Sequence, residues 1–234
     1  FCSAKAAAGL ALAGVLAVPL YLMTSPGQSL ERPAQRVTGK VKVIDGDTID
    51  VSGVRVRLEG IDAPELAQTC PHWLYGRWHA GRRAAAALMR MTAGRTVECA
   101  SRGRDSYGRM LGVCSVGGVD LNREMVSQGN AWAFVKYSQS YVADEKAAQE
   151  ARRGVWQRTC QPAWVYREAR WSGSETAAPK GCAIKGNITA RGQLVYHMPW
   201  GKWYGRTKVE PGRGERWFCN EREALDAGWR PSAS

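Results

Sequence analysis

The stretch from Val41 to Glu65, VKVIDGDTIDVSGVRVRLEGIDAPE, constrains this 234-residue chain more than any other. Val41, Val43, Ile49, Val51, Val54, Val56, Leu58 and Ile61 largely alternate with polar or small residues, the period of half-buried strands. Gly46 and Gly53 punctuate the run as turns, so the spacing predicts three consecutive antiparallel strands over 37–44, 48–52 and 54–61. Asp47 then starts the second strand and Asp62 follows the third, which brings both carboxylates to one end of a sheet. Arg57 and Glu65 belong to the same segment. Charges gathered at strand ends are costly to desolvate unless something binds them. A divalent cation and a phosphate would satisfy this set, although either aspartate taken alone reads as an ordinary turn residue bonded to its own backbone.

Oxygen-only ligation favours a hard cation such as calcium or magnesium, and two carboxylates leave positions for water, a backbone carbonyl and a substrate phosphate. So few protein charges imply weak affinity. Calcium sites in extracellular modules bind with Kd of about 0.1–1 mM, which suits an export compartment better than a cytosol.

Four motifs extend the pattern: VIDGDTI at 43–49, VRLEGIDAPE at 56–65, DSYGRMLGV at 105–113 and DLNREMVSQGNA at 120–131. In this order and spacing they resemble the staphylococcal nuclease (thermonuclease) family over about residues 37–158. The resemblance implies an α+β, mainly β fold: a five-stranded OB-type barrel with three helices, followed here by a small C-terminal module. It implies that Asp47 and Asp62 ligate calcium with the Ala63 carbonyl as third ligand, that Glu65 is the catalytic glutamate, and that Arg57 and Arg109 bind phosphate. Forked guanidinium donors match phosphate oxygens in a way lysine does not. Glu65 would take a proton from the attacking water or orient it. Separately, each residue has a plainer reading: Arg57 as a solvated strand residue, Arg109 as a hairpin-tip charge, Glu65 as a first-turn helix acid. The implied function is calcium-dependent, low-specificity hydrolysis of DNA or RNA phosphodiesters. A non-catalytic OB module that binds nucleic acid or the cell envelope is the alternative.

Tyr107 and Tyr137 are the candidate substrate-binding tyrosines. The family commonly carries two tyrosines after the QGNA position, whereas here Tyr137 fits one by count, Val135 takes the other place, and Phe134 lies beside it. The excess of 33 Lys and Arg over 21 Asp and Glu, net +12, biases the surface toward polyanions without proving a nucleic-acid partner. Trp73, Trp78 and Trp132 could stack on bases, but packing is the better reading.

Elsewhere in this domain the pattern predicts an alanine-rich helix over 79–92 with Arg82, Arg83 and Arg90 on its outer face, and strands over 95–101 and 109–116. Helices follow over 121–129 and 140–153, with Gly154 closing the second as a C-cap. The domains read as 1–36, a hydrophobic leader and linker; 37–160, the nuclease-like domain; 161–180, a flexible linker around SGSETAAPK; and 181–234, the small module. Ala6–Met23 is apolar enough for an uncleaved signal-anchor, slightly preferred over a cleaved signal, and either exports the domain. The protein is therefore expected outside the cytoplasm, as a monomer.

Six cysteines beyond the leader suggest disulfides in an exported chain. The preferred pairing is Cys99–Cys114, Cys70–Cys160 and Cys182–Cys219; only the first rests on local geometry, the two cysteines lying almost symmetrically about a hairpin tip. The module has a Y-H-x-P strand and an E-A-x-x-A-G-W-R-P turn, similar to Ada-like metal-binding domains, but Trp200 and Ser232 stand near the places where those relatives carry cysteines. A zinc site using Cys182, His197 and Cys219 competes with a simple Cys182–Cys219 staple, which is preferred, and the module's partner is open.

Overall fold

The computed structural model describes residues 35–72, 74 and 76–232, with Ser3. The apolar segment Ala6–Met23 and Trp73 lie outside the described residues. Among the described residues, no helix is long and apolar enough to cross a membrane.

The first half of the chain runs β1 (Arg36–Gly39), β2 (Val41–Val43), β3 (Thr48–Val51), β4 (Val54–Leu58), β5 (Ile61–Asp62), β6 (Cys70–His72), β7 (Gly76–Trp78) and α1 (Ala80–Thr92). It continues with β8 (Val97–Arg104), β9 (Met110–Val116), β10 (Val119–Asp120), α2 (Leu121–Ser127), β11 (Trp132–Ala133) and α3 (Val142–Glu150). After α4 (Ala163–Ala177) come β12 (Ile184–Ile188), β13 (Leu194–His197), β14 (Arg216–Phe218), α5 (Glu221–Asp226) and β15 (Arg230–Pro231).

The expected α+β, OB-type architecture is present. The principal sheet has the order β1-β8-β9-β4-β3-β2, with β10 added on β9. β1 and β2 are two halves of the expected first strand, parted at Lys40, and they border opposite ends of that order. One short run of chain thus reaches both edges, which requires the sheet to curl. β4 and β9 pair in parallel, while the other neighbours in the sheet are antiparallel.

Alternation decides which side chains face the core. β9 buries every second residue, Met110, Gly112, Cys114 and Val116, and β3 and β4 add Ile49, Val51, Val56 and Leu58. Against them pack Ala84, Ala87 and Leu88 of α1 and Leu121, Met125 and Val126 of α2. Each large aliphatic side chain so buried contributes about 1.5–3 kcal/mol. Asn122, fully buried, accepts from the Cys114 amide (3.1 Å) and donates to the Glu59 (2.9 Å) and Gly112 (3.1 Å) carbonyls. It stitches the turn after β4 to β9, which explains an asparagine on the apolar face of α2.

All three preferred disulfides form, and Cys99 and Cys114 are directly opposed in the β8–β9 ladder. Cys182 and Cys219 are joined to each other, which removes them as zinc ligands. His197 instead bonds Asn187 through Nε2 at 2.8 Å.

Two expectations need correction. Gly154 does not cap α3, which ends at Glu150; its positive φ of 51° lets its backbone lie against Gly129, where the Val155 amide donates to the Gly129 carbonyl at 2.9 Å. More consequentially, residues 161–180 are not a flexible linker. Residues 163–177 form α4, because Trp164, Arg167 and Trp171 share one helix face and each has a tertiary partner. Trp164 stacks on Phe134 (5.6 Å, 11°), and Trp171 packs against the core of the C-terminal unit, Ile184, Tyr196, Phe218, Ala224 and Trp229. That unit is a sheet of order β14-β12-β13-β15 carrying α5. It belongs to one compact body, Ala34–Ser234, with the larger sheet.

Candidate active site

The DGDT turn between β2 and β3 is pressed into the fold. A Cβ at Gly46 would stand 2.7 Å from the Ala63 methyl and 2.8 Å from that of Ala84, so only glycine lets the turn approach α1. This closeness allows the Ala63 amide to donate to Asp47 Oδ2 at 2.9 Å, while Thr48 Oγ1 donates to Oδ1 at 3.0 Å. The β3–β4 register sets Thr48 opposite Arg57, and the Arg57 guanidinium spans Asp47 and Asp62, the latter at 3.0 Å. Asp62 is fully buried and is paired through its backbone with Trp132 in the β5–β11 ladder.

Glu65 is held by Gln68. The Gln68 Oε1 accepts from the Glu65 amide (3.2 Å), the Gln68 amide donates to the Glu65 carbonyl (2.7 Å), and Nε2 donates to the Gln161 carbonyl (2.7 Å). The Cys70–Cys160 disulfide secures the same junction, and α4 starts immediately beyond it. Arg167 on α4 then forks onto the acids: Nη1 lies 2.8 Å from Glu65 and 3.1 Å from Asp62 Oδ1, and Nη2 lies 2.7 Å from Asp62 Oδ2.

Arg109 leaves the β8–β9 hairpin. Asp105 shapes that tip by accepting from the amides of Tyr107 (3.0 Å) and Arg109 (2.9 Å), and from Arg109 Nε at 2.6 Å. Arg109 and Tyr107 line one cavity of about 880 Å³ together with Asp47, Arg57, Ala63, Glu65 and Tyr137. Asp62, too buried to reach the surface of the cavity, is tied to it through Arg57 and Arg167.

Electrostatics separates the acids. Loss of water would raise Asp47, but the charge and hydrogen bond of Arg57 and the Ala63 amide bring it down to about 2. Asp45, two residues earlier, is pushed up to about 8 by burial and then by the Asp47 and Glu65 charges. Burial also pushes Glu65 up to about 7, Arg167 pulling against it and Asp47 and Asp62 adding to it. A carboxyl poised near neutrality is what proton abstraction at ordinary pH requires.

The donor set suits a hard cation, because Asp47, Asp62 and the Ala63 backbone offer only oxygen, and one guanidinium already reaches both carboxylates. Among the described residues no group of three or more acidic, His or Cys side chains converges on an ion position.

Of the sequence candidates, Asp47, Asp62, Ala63, Glu65, Arg57 and Arg109 are brought together. Tyr107 and Tyr137 reach the cavity mouth, 43% and 65% exposed, Tyr137 edge-on to Phe134 at 4.9 Å. Val135 is exposed and Phe134, not Val135, lines the cavity. Trp132 is buried and Trp78 packs in the same cluster, so neither offers a free stacking face. Sequence reasoning missed Asp45, Gln68, Asp105 and Arg167. Asp45 and Asp105 stand inside motifs already singled out. Arg167 lies 102 residues from Glu65 in a stretch read as linker, and no local signal marks it.

The pattern of staphylococcal nuclease homologues matches residues 55–158. An uncharacterized endonuclease of Escherichia coli O157:H7 is 37% identical over 138 residues, 56% of this chain and 84% of the relative. Micrococcal nuclease of Shigella flexneri is 35% identical over 147 residues, 55% of this chain and 79% of the relative. The succinoglycan biosynthesis protein ExoI of Rhizobium meliloti (strain 1021) is 34% identical over 140 residues, 58% and 73% respectively. With its fold, its cavity and these relatives, the chain belongs to the staphylococcal nuclease homologues and is a nuclease of the phosphodiester-hydrolase class.

Proposed function

We propose that the chain is a calcium-dependent nuclease of low sequence specificity that cleaves DNA or RNA outside the cytoplasm. The observation that carries this reading is the convergence of Asp47, Glu65, Arg57 and Arg109 on one cavity, with Asp62 paired behind it to Arg57 and Arg167. Asp47, Asp62 and the Ala63 carbonyl would hold the calcium, which when bound supplies a Lewis acid and a template for substrate oxygen. A phosphodiester repels nucleophiles, and its five-coordinate transition state carries still more charge. Arg57 and Arg109 would bind those oxygens and stabilise that charge where it develops. Glu65, which lines the cavity beside these groups, would take the proton of the attacking water or orient it. None of these groups reads a base edge, consistent with recognition through the backbone. Three disulfides support an oxidising compartment.

The test is cleavage of single-stranded DNA by residues 37–234, started by calcium and stopped by a chelator. Glu65→Ser and Arg109→Ala are expected to lower turnover by about 10²–10⁴-fold with circular dichroism unchanged. A folded Glu65→Ser protein with wild-type turnover would leave the non-catalytic binding reading in its place.

A further inference from the structure

The cavity that holds the carboxylates is not walled by the larger sheet alone. Tyr196, Met198, Trp200, Lys202 and Glu221 of the C-terminal unit also line it. The Tyr196 hydroxyl donates to Glu221, whose carboxyl lies in the electrostatic reach of Arg109 and Tyr107 on the hairpin. The two parts of the molecule therefore meet at an arginine assigned to phosphate. α4 sets the spacing: Arg167 touches Glu65, and Trp171, about 6 Å further along the axis, lies against Trp200 with ring centroids 6.2 Å apart and planes at 43°. Trp200 is half-buried, backed by Trp171 while it lines the cavity, and Lys202 beside it is exposed. On the hairpin side, the exposed Arg102 and Arg104 of β8 line the same cavity.

One indole face, that of Trp200, with cations on either side of it in the same cavity suits a polymer that alternates π-faces with phosphates. Base–aromatic stacking and charge together are how unpaired strands are held without regard to sequence. A duplex keeps its bases inside the stack, and an enclosed site reaches one only by extruding it. We propose that the C-terminal unit supplies a nucleotide subsite of the cleft, in which Trp200 stacks on a base and Lys202, with Arg102 and Arg104, holds neighbouring phosphates of a single strand. The subsite deepens the nuclease reading by naming the substrate form, yet its occupancy is measurable without cleavage.

The experiment is fluorescence anisotropy of the full chain with a fluorescein-labelled 12-residue oligothymidylate in chelator, compared with a 12-base-pair duplex. Trp200→Ala is expected to raise the single-strand Kd about tenfold, Trp200→Phe to restore it within about twofold, and the exposed Lys202→Glu to raise it about fivefold with a shallower salt dependence. The duplex is expected to bind more weakly and to be indifferent to Trp200→Ala. Wild-type affinity in both Trp200→Ala and Lys202→Glu, or equal losses for duplex and single strand, would overturn the subsite. If wild-type protein binds as described but cleaves nothing with calcium, the activity reading falls and the subsite stands. If cleavage depends on Glu65 while KM for the 12-mer is unmoved in both variants, the subsite falls alone.

Discussion

Arg167 would compete with the proposed calcium for Asp62, since the guanidinium pairs with Asp62 and Glu65 through three contacts of 2.7–3.1 Å. Removing one partner of a largely buried pair leaves charge uncompensated. Arg167→Ala is therefore expected to lower stability by about 2 kcal/mol in chelator, to regain most of it with calcium, and to shift half-maximal calcium stabilisation to lower concentration. Thermal melts across a calcium titration check this, and a calcium midpoint unchanged from wild type would contradict it. His197 offers a residue-level test in the C-terminal unit. Burial, and then the Lys185 charge, lower its imidazole below the usual range. Well above the ordinary histidine pKa of about 6.5 the ring is neutral in folded and unfolded chain alike, so its contribution is complete there. As pH falls further the unfolded chain takes up a proton that the folded one refuses, and stability declines. The melting temperature is expected to fall between pH 7 and pH 5 more steeply in wild type than in His197→Gln. At this scale the sequence was most legible where residues sit in a tight local pattern: Asp47, Asp62 and Glu65 fall within 19 residues of each other, whereas the partner of two of them arrives from 102 residues away.

Helix α4 shows how tertiary contacts override composition. Its C-terminal half reads Ser-Gly-Ser-Glu-Thr, which resembles a linker, yet the element is fixed by three residues of one face and by a disulfide just ahead of it. Cys70 and Cys160 close a separation of 90 residues. Replacing both by serine is expected to cost about 2–4 kcal/mol and, beyond that loss, to raise hydrogen exchange preferentially in 161–177, because the same junction carries the Gln68 bond to Gln161. Exchange confined to other elements would speak against α4 as the tie between the two sheets. The strands of the larger sheet were legible because a two-residue period and β-branched side chains dictate them locally. The end of α3 was not, since Gly154 answers to Gly129 across the fold instead of to the helix before it.

For the whole molecule, the net charge of +12 predicts salt-sensitive attraction to nucleic acid. Of the six cations lining the cleft, Arg57 and Arg167 are held by the site's own carboxylates; if the other four, Arg102, Arg104, Arg109 and Lys202, each meet a phosphate, the logarithm of the single-strand binding constant should fall against that of salt with a slope near ~−3. A flat salt response in anisotropy would place binding elsewhere than on these charges. What the sequence by itself determined is the larger sheet, its carboxylate-bearing turns and the chemistry those turns can support, because strand periodicity and turn residues act over a few positions. Only the tertiary structure decided that a polar stretch becomes a helix, that its arginine enters the carboxylate cluster, and that the C-terminal unit walls the cleft. Those outcomes depend on partners distant in sequence, whose free energy of contact no local pattern records.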